Sequence, residues 1–196
     1  MTGSMLGKSL YVGEAIELTA IDAEKDAALF SQWTEQPAFN RHFNFGIFRP
    51  TAEHEMKKKL EELMKKIDEK RDAYFFVIRK RDGSVPIGLA FIRNILHAHQ
   101  VGSIYICFGS DADLIKYGSE AMDMMLRYGF MEASLHRLGA TLAGYETDMI
   151  SLYESKGFLR EVQHREAAYH AGRYWDEMIY AILKPEYKKR IEEATK

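Results

Sequence analysis

The sequence predicts one α/β domain built on a mixed β-sheet, and two observations lead to that fold class. Strand and helix patterns follow the order β, α, α, three strands, α, β, α and two strands, which mixes hairpins with helices instead of repeating one βα unit. No internal repeat, low-complexity segment or Pro/Gly/Ser-rich linker divides the 196 residues. We therefore expect a single domain over 1–196, with a flexible lead over 1–12 and a charged tail over 184–196 that forms a short surface helix.

The first part of the chain predicts one strand and two helices. Residues 14–20 alternate apolar and polar side chains as a strand does, and Asp22 can cap a helix that stops before Pro37. Residues 40–50 are aromatic and irregular. Thr51 can cap a second helix, whose many lysines we interpret as a solvated face and not as an anion site.

The rest of the chain predicts further strands with two more helices among them. An Asp-Gly pair between the first two of these strands is typical of a hairpin, and Gly157 can end the second helix in the left-handed conformation. The predicted strands are 74–79, 85–92, 100–108, 138–142, 158–170 and 174–183, and the predicted helices are 118–132 and 148–156.

Composition and charge limit the class of protein. Hydrophobic residues make up 46% of the chain and charged residues 29%, as in ordinary globular proteins. A formal net charge of −2 does not predict a nucleic-acid partner, and no apolar run approaches the roughly 20 residues that a membrane helix needs. The single cysteine, Cys107, rules out an internal disulfide. We expect a soluble, cytoplasmic protein.

The segment that is most informative about chemistry is the strand, loop and helix around Gly109. A loop over 109–117 leads to a helix that opens at Gly118 and Ser119. A helix N-terminus presents unpaired N–H groups and a partial positive charge, which suit a phosphate group. The pattern therefore predicts a phosphate-binding turn, although any strand-to-helix turn can contain a glycine.

Four sequence segments follow in a fixed order and resemble the GNAT superfamily, in the branch of ribosomal-protein N-terminal acetyltransferases and their polyamine- and antibiotic-acetylating relatives. They are KYGSEAMDMMLRYGF (116–130), LHRLGATL (135–142), ISLYESKGFLREVQHR (150–165) and AGRYWDEMIYAIL (171–183). The resemblance covers 14–183 and implies the GNAT acyl-CoA N-acyltransferase fold, with a mixed central sheet of about seven strands flanked by about four helices. It also implies that acetyl-CoA is the co-substrate and that a primary amine is the acceptor: a protein N-terminus, a polyamine or another small amine.

The resemblance further implies where acetyl-CoA binds. Cys107, Phe108 and Gly109 would offer backbone groups to the pantetheine arm and thioester, in a gap beside the strand at Leu138. Tyr153 would donate a proton to the departing thiolate, unless it is only a core aromatic. The pyrophosphate would be wrapped by Leu114, Ile115, Lys116, Tyr117, Gly118 and Ser119.

Three residues depart from the family pattern. Aligned on Gly118, Asp113 stands where the family has Arg or Gln, and Lys116 stands where it has a first glycine. Asp113 would repel a pyrophosphate, whereas Lys116 offers a compensating charge. Glu146 replaces an asparagine and is either a general base or a solvated loop residue. These departures keep open a rival function, a GNAT-fold module without catalysis that binds a CoA ester or another ligand for sensing or assembly.

The acceptor site has weaker signals. Phe43 belongs to an aromatic stretch that in the resembled family helps to form the acceptor site, although such aromatics can equally cover the core. His97 and its neighbour His99 could line the acceptor end or be polar surface, and we expect no metal because they have no acidic or thiol partner nearby. Cys107 is expected to be buried and not nucleophilic. A homodimer is left open.

Overall fold

The computed structural model describes residues 9–43, 49–81 and 85–194. Seven strands form one mixed sheet in the order β1-β2-β3-β4-β5-β7-β6, in which the only parallel neighbours are β4 and β5. The strands are β1 (Ile16–Thr19), β2 (Tyr74–Lys80), β3 (Pro86–Leu96), β4 (Val101–Phe108), β5 (Arg137–Ala143), β6 (Leu159–His170) and β7 (Arg173–Leu183). The predicted mixed sheet of seven strands is confirmed.

Three helices lie between β1 and β2, and one helix follows each of β4, β5 and β7. They are α1 (Ala23–Trp33), α2 (Pro37–Phe43), α3 (Glu53–Lys70), α4 (Asp111–Arg127), α5 (Thr147–Ser155) and α6 (Lys184–Ala194), and a π-helical turn (Tyr128–Glu132) continues α4. In the part of the chain that the structure describes, no helix is long and apolar enough to cross a bilayer.

Two of the predicted helix signals are confirmed. The carboxylate of Asp22 accepts hydrogen bonds from the N–H groups of Glu24 and Lys25 and so caps α1. Gly157 follows α5 with a φ of 87°, a left-handed conformation that glycine adopts without steric cost.

Other predictions about the first part of the chain were wrong. Thr51 does not cap α3, because it is buried and its N–H donates to the Thr34 hydroxyl at 2.9 Å, while Ala52 takes the N-cap position. Part of the segment predicted to be irregular forms α2. The flexibility of the lead stays a prediction, and Tyr11 near its end packs against Phe76. Residues 1–8, the Asp82-Gly83 turn, and Phe45 and Phe48 lie outside the described residues.

The two central strands carry helices on opposite faces, and this arrangement positions the site. Ile106 of β4 faces α4, near Gly118, while its neighbour Tyr105 stacks on His42 of α2. Successive side chains of a strand point to opposite faces, so α4 and α2 lie on the two sides of β4.

An aromatic cluster holds α2 against α1. The rings of Trp33 and Phe39 lie 5.4 Å apart, and those of Phe39 and Phe43 lie 5.1 Å apart. Trp33 also packs on Gly109, immediately after β4, where a side chain would overlap the indole ring. The cluster therefore ties the position of α2 to the end of β4.

This close approach predicts the effect of adding one methyl group. We expect Gly109→Ala to lower the free energy of unfolding by about 1–3 kcal/mol, because the buried Trp33 ring must shift. The matched control is Gly139→Ala in β5, whose new Cβ would meet its nearest neighbour at an ordinary 3.4 Å and should change stability by less than about 1 kcal/mol. Urea unfolding followed by tryptophan fluorescence measures both. Equal effects of the two changes would contradict the packing account.

Candidate active site

A cleft opens where the parallel pair β4 and β5 stops pairing. The two strands are hydrogen-bonded partners only over 101–103 and 137–139. Beyond that point β4 stays paired with β3 as far as Phe108, and β5 stays paired with β7 as far as Ala143. The two halves of the sheet therefore diverge and leave backbone groups of β4 without a strand partner.

Two tyrosines occupy the vertex of this cleft. The Tyr153 hydroxyl of α5 donates to the Ile104 carbonyl at 2.8 Å, and the Thr141 N–H of β5 donates to the Tyr105 hydroxyl at 3.2 Å. Each phenol takes the place of the strand partner that the separation removes. The two hydroxyls thus satisfy the Ile104 carbonyl and the Thr141 N–H at the vertex.

The direction of the Ile104 carbonyl shows which residues of β4 face the cleft. Backbone groups alternate sides along a strand, so the N–H and C=O groups of Ile106 and Phe108 also point toward the cleft. Cys107 faces β3, where its carbonyl lies against Gly88, and the Gly109 N–H donates to the Ile87 carbonyl at 3.0 Å.

These directions correct part of the sequence-based prediction. Cys107 and Gly109 direct backbone groups to β3 and do not offer them to a ligand in the cleft. Phe108 does direct its backbone groups toward the cleft, and so does Ile106, which the sequence reasoning missed.

Burial holds the protons on two groups near the vertex. Burial raises the pKa of the Cys107 thiol, and it raises the pKa of Tyr153 well above its usual value. Cys107 is therefore a thiol at neutral pH, which matches the expectation that it is not a nucleophile. Tyr153 is fully buried and keeps its hydroxyl proton.

A buried acid and a histidine lie at the open end of the cleft. Glu146 Oε1 lies 2.6 Å from His42 Nε2, and Glu146 Oε2 accepts the Ala143 N–H at 2.7 Å. The side chains of His42 and Glu146 are 5% and 4% exposed. Glu146 is thus not the solvated loop residue that the sequence allowed.

His42 is itself held in place from two sides. Its ring stacks on Tyr105 with the centroids 5.2 Å apart, and its backbone carbonyl accepts a hydrogen bond from Arg93 at 3.2 Å. The sequence placed His42 in an aromatic stretch but gave no sign that it meets Glu146, which is 104 residues away.

The cleft has a volume of about 280 Å³ and an acidic lining. Phe108 and Leu114 contribute apolar surface, whereas Asp111, Glu146 and Asp148 contribute three carboxylates. Among the lining residues that the structure describes there is no lysine or arginine. This cleft favours a cationic ligand over an anionic one.

The predicted start of the helix after β4 is wrong. Helix α4 begins at Asp111 and not at Gly118, because Ser110 caps it: the Ser110 hydroxyl accepts from the Asp113 N–H at 3.2 Å and donates to the Asp113 carboxylate at 2.8 Å. The predicted loop is therefore helical from its third residue. The exposed N-terminal turn carries the carboxylates of Asp111 and Asp113.

All six residues predicted to wrap the pyrophosphate lie inside this helix. Gly118 is buried, and a Cβ on it would be 3.0 Å from Leu114 and 3.1 Å from Leu152, so it is a packing glycine. Ser119 accepts a hydrogen bond from Lys156 at 2.7 Å. Ile115 and Lys116 are exposed, and Lys116 lies beside the ring of the buried Tyr117. Of the six residues, only Leu114 lines the cleft.

The two predicted acceptor residues lie elsewhere. Phe43 packs on Phe30 and Phe39 within the aromatic cluster. His97 lies in the turn before β4 and is 2.7 Å from the Arg71 carbonyl. The cleft is at the other end of that strand, about 25 Å away at the rise of an extended chain, so the structure does not bring His97 into it. The described residues contain no group of three or more His, Cys, Asp or Glu that could hold a metal ion.

A mixed sheet whose parallel pair separates beside a following helix defines the class that the sequence resembled, the acyl-CoA N-acyltransferases. Residues 16–159 match the family model described as the acetyltransferase (GNAT) domain. The chain belongs to this acetyltransferase family.

Relatives and solved structures agree with this assignment. The SPbeta prophage-derived uncharacterized N-acetyltransferase YokL of Bacillus subtilis (strain 168) is 22% identical over 178 residues, or 91% of this chain and 95% of that protein. The uncharacterized N-acetyltransferase YnaD of the same organism is 31% identical over 91 residues, or 46% of this chain and 52% of that protein.

The structure of a spermidine N-acetyltransferase from Vibrio cholerae in complex with CoA and spermine matches with a TM-score of 0.75 at 21% identity, and covers 90% of this chain and 99% of that one. A dodecameric structure of spermidine N-acetyltransferase from Vibrio cholerae matches with a TM-score of 0.72 at 22% identity, over 91% of this chain and 99% of that one. At these identities the likeness shows the fold.

The buried pair predicts a measurable contribution to stability. We expect Glu146→Gln to lower the free energy of unfolding by about 1.5–3 kcal/mol, because an amide forms weaker hydrogen bonds with His42 and the Ala143 N–H than a carboxylate does. The exposed Asp148→Asn, two residues along, is the matched control and should change it by less than about 0.5 kcal/mol. Urea unfolding at neutral pH provides the comparison, and a Glu146→Gln protein as stable as the control would show that the pair does not stabilise the fold.

Proposed function

We propose that this protein transfers an acetyl group from acetyl-CoA to the primary amine of a small cationic acceptor of the polyamine class. The observation that carries the proposal is the acidic cleft at the point where β4 and β5 separate, lined by Asp111, Glu146 and Asp148. Carboxylates in a partly enclosed cleft attract ammonium groups. The similar structures named spermidine N-acetyltransferases support this acceptor class over a ribosomal protein N-terminus.

The donor arm fits the exposed edge of β4. Acetyl-CoA, the donor that GNAT acetyltransferases use, supplies a thioester at the end of a pantetheine arm that contains two amide groups. The N–H and C=O groups of Ile106 and Phe108 face the cleft and can pair with those amides as a neighbouring strand would. The Phe108 N–H would also stabilise negative charge on the thioester oxygen during attack.

Glu146 is the proposed base for the acceptor. An amine that is protonated in water must lose a proton before it can attack a carbonyl carbon. The Glu146 carboxylate lines the cleft, where it contacts the His42 ring and accepts the Ala143 N–H. The His42 ring lies beside this carboxylate, with Nε2 2.6 Å from Oε1, and holds it in position.

Tyr153 is the proposed acid for the leaving group. Its hydroxyl lies at the vertex of the cleft, and the raised pKa keeps it protonated at neutral pH. In the structure it donates to the Ile104 carbonyl, so a proton transfer to sulfur requires the hydroxyl to turn toward the cleft.

The first experiment tests transfer itself. The purified protein is incubated with acetyl-CoA and either spermidine or a neutral peptide with a free N-terminus, and acetylated product is measured by mass spectrometry. We expect kcat/KM for spermidine to be at least about tenfold higher, because its second and third charges meet the cleft carboxylates. Binding of acetyl-CoA without transfer to any amine would favour the rival reading of a non-catalytic module.

The role of Tyr153 is tested with a matched pair of tyrosine variants. We expect Tyr153→Phe to lower kcat by about 100-fold while KM for acetyl-CoA stays within about twofold, because only the leaving thiolate needs the hydroxyl. The control is Tyr180→Phe, a buried tyrosine whose hydroxyl donates to Glu154 at 2.9 Å, away from the vertex. Unchanged turnover in Tyr153→Phe, or an equal loss in both variants, would remove Tyr153 from catalysis.

A further inference from the structure

We propose that this site recognises its donor through the pantetheine arm alone, so that it accepts acetyl thioesters of pantetheine that lack the nucleotide. This inference rests on the proposed acetyl transfer and concerns its donor. The chemistry stays the same: the acyl carbon–sulfur bond breaks, a carbon–nitrogen bond to the amine forms, and the proton that the amine loses ends on the sulfur.

The first support is the state of the α4 N-terminus. A phosphate group binds a helix N-terminus through unpaired N–H groups and the positive end of the helix dipole. In α4 the Ser110 hydroxyl already accepts the Asp113 N–H, and the Asp111 and Asp113 carboxylates surround that end. Both the hydrogen-bond donors and the favourable charge of a phosphate site are thereby reduced.

The second support is the charge of the cleft through which the donor passes. Asp111, Glu146 and Asp148 line it, and no lysine or arginine is found among the lining side chains that the structure describes. Lys80 does approach this region, but it lies 3.8 Å from the Asp113 carboxylate and so offsets that charge first. CoA carries several negative charges on its phosphates, which like charges in a confined cleft repel.

The third support is that the arm itself meets suitable groups. Pantetheine is uncharged, and the cleft offers it the backbone edge of Ile106 and Phe108 with the apolar side chains of Phe108 and Leu114. Affinity gained on the arm does not depend on the phosphates. The cleft therefore binds the pantetheine arm of CoA and disfavours the nucleotide end, which carries the phosphates.

Titration calorimetry on the protein tests this with CoA and pantetheine as the two probes. If CoA formed two charge-assisted hydrogen bonds through its pyrophosphate, pantetheine would lack both and would bind more weakly by on the order of 100-fold. We expect instead that the Kd of pantetheine lies within about tenfold of the Kd of CoA. A larger ratio in favour of CoA overturns the inference, and so does the absence of pantetheine binding.

A charge variant provides the second arm of the test. Asp111→Asn combined with Asp148→Asn should tighten CoA binding by at least about threefold and leave pantetheine within about twofold, because only CoA carries phosphates. Glu132→Gln, an exposed carboxylate in the π-helical turn after α4, is the matched control and should shift neither. An unchanged CoA affinity in the double variant contradicts the electrostatic account.

Turnover separates this inference from the proposed function. With spermidine as acceptor, S-acetylpantetheine should support kcat/KM within about tenfold of acetyl-CoA. If acetyl-CoA supports transfer and S-acetylpantetheine is more than tenfold worse, the donor inference fails and the proposed function stands. If neither donor supports transfer to any amine, the proposed function fails, and the calorimetric ratio still decides the inference about binding.

Discussion

Two parallel strands that stop pairing in the middle of a sheet must satisfy the backbone groups that each one exposes. Here β4 and β5 pair over 101–103 and 137–139 and then separate. At the vertex the hydroxyls of Tyr153 and Tyr105 complete the ladder from both sides. Farther out, the Ala143 N–H is taken by Glu146, while Ile106 and Phe108 remain open toward the cleft. The candidate site therefore has two parts: the edge of β4 that faces the cleft and can bind a ligand, and the buried Glu146 carboxylate beside it.

Aromatic packing explains why a histidine from the first part of the chain belongs to the site. The Phe30, Trp33, Phe39 and Phe43 rings pack α2 against α1, and Trp33 reaches Gly109 at the end of β4. This packing brings His42 onto the Tyr105 ring and within hydrogen-bond distance of Glu146. A buried carboxylate is stabilised only when it is paired and hydrogen-bonded, and the α2 contact supplies half of that requirement.

The sequence predicted the sheet, most of the strands and the family from local patterns, because alternation, the Asp22 cap and the Gly157 stop depend on neighbours in the chain. It failed where the outcome depends on competing local interactions or on distant contacts. A glycine and a serine at 118 and 119 looked like a helix start, but the Ser110 cap begins α4 earlier and moves both into its interior. The directions of Ile106 and Cys107 differ by one residue of strand register, which composition does not reveal. No motif connects His42 to Glu146, since only the packed fold brings them together.

Residue-resolved amide hydrogen exchange by NMR, with and without saturating CoA, tests the central claim most directly. We expect CoA to slow exchange at the Ile106 and Phe108 amides, which face the cleft, and to leave the Asp111 and Ala112 amides at the start of α4 unchanged. Slowed exchange at Asp111 and Ala112 with no change at Ile106 and Phe108 would contradict it, because the ligand would then bind the helix N-terminus and not the exposed edge of β4.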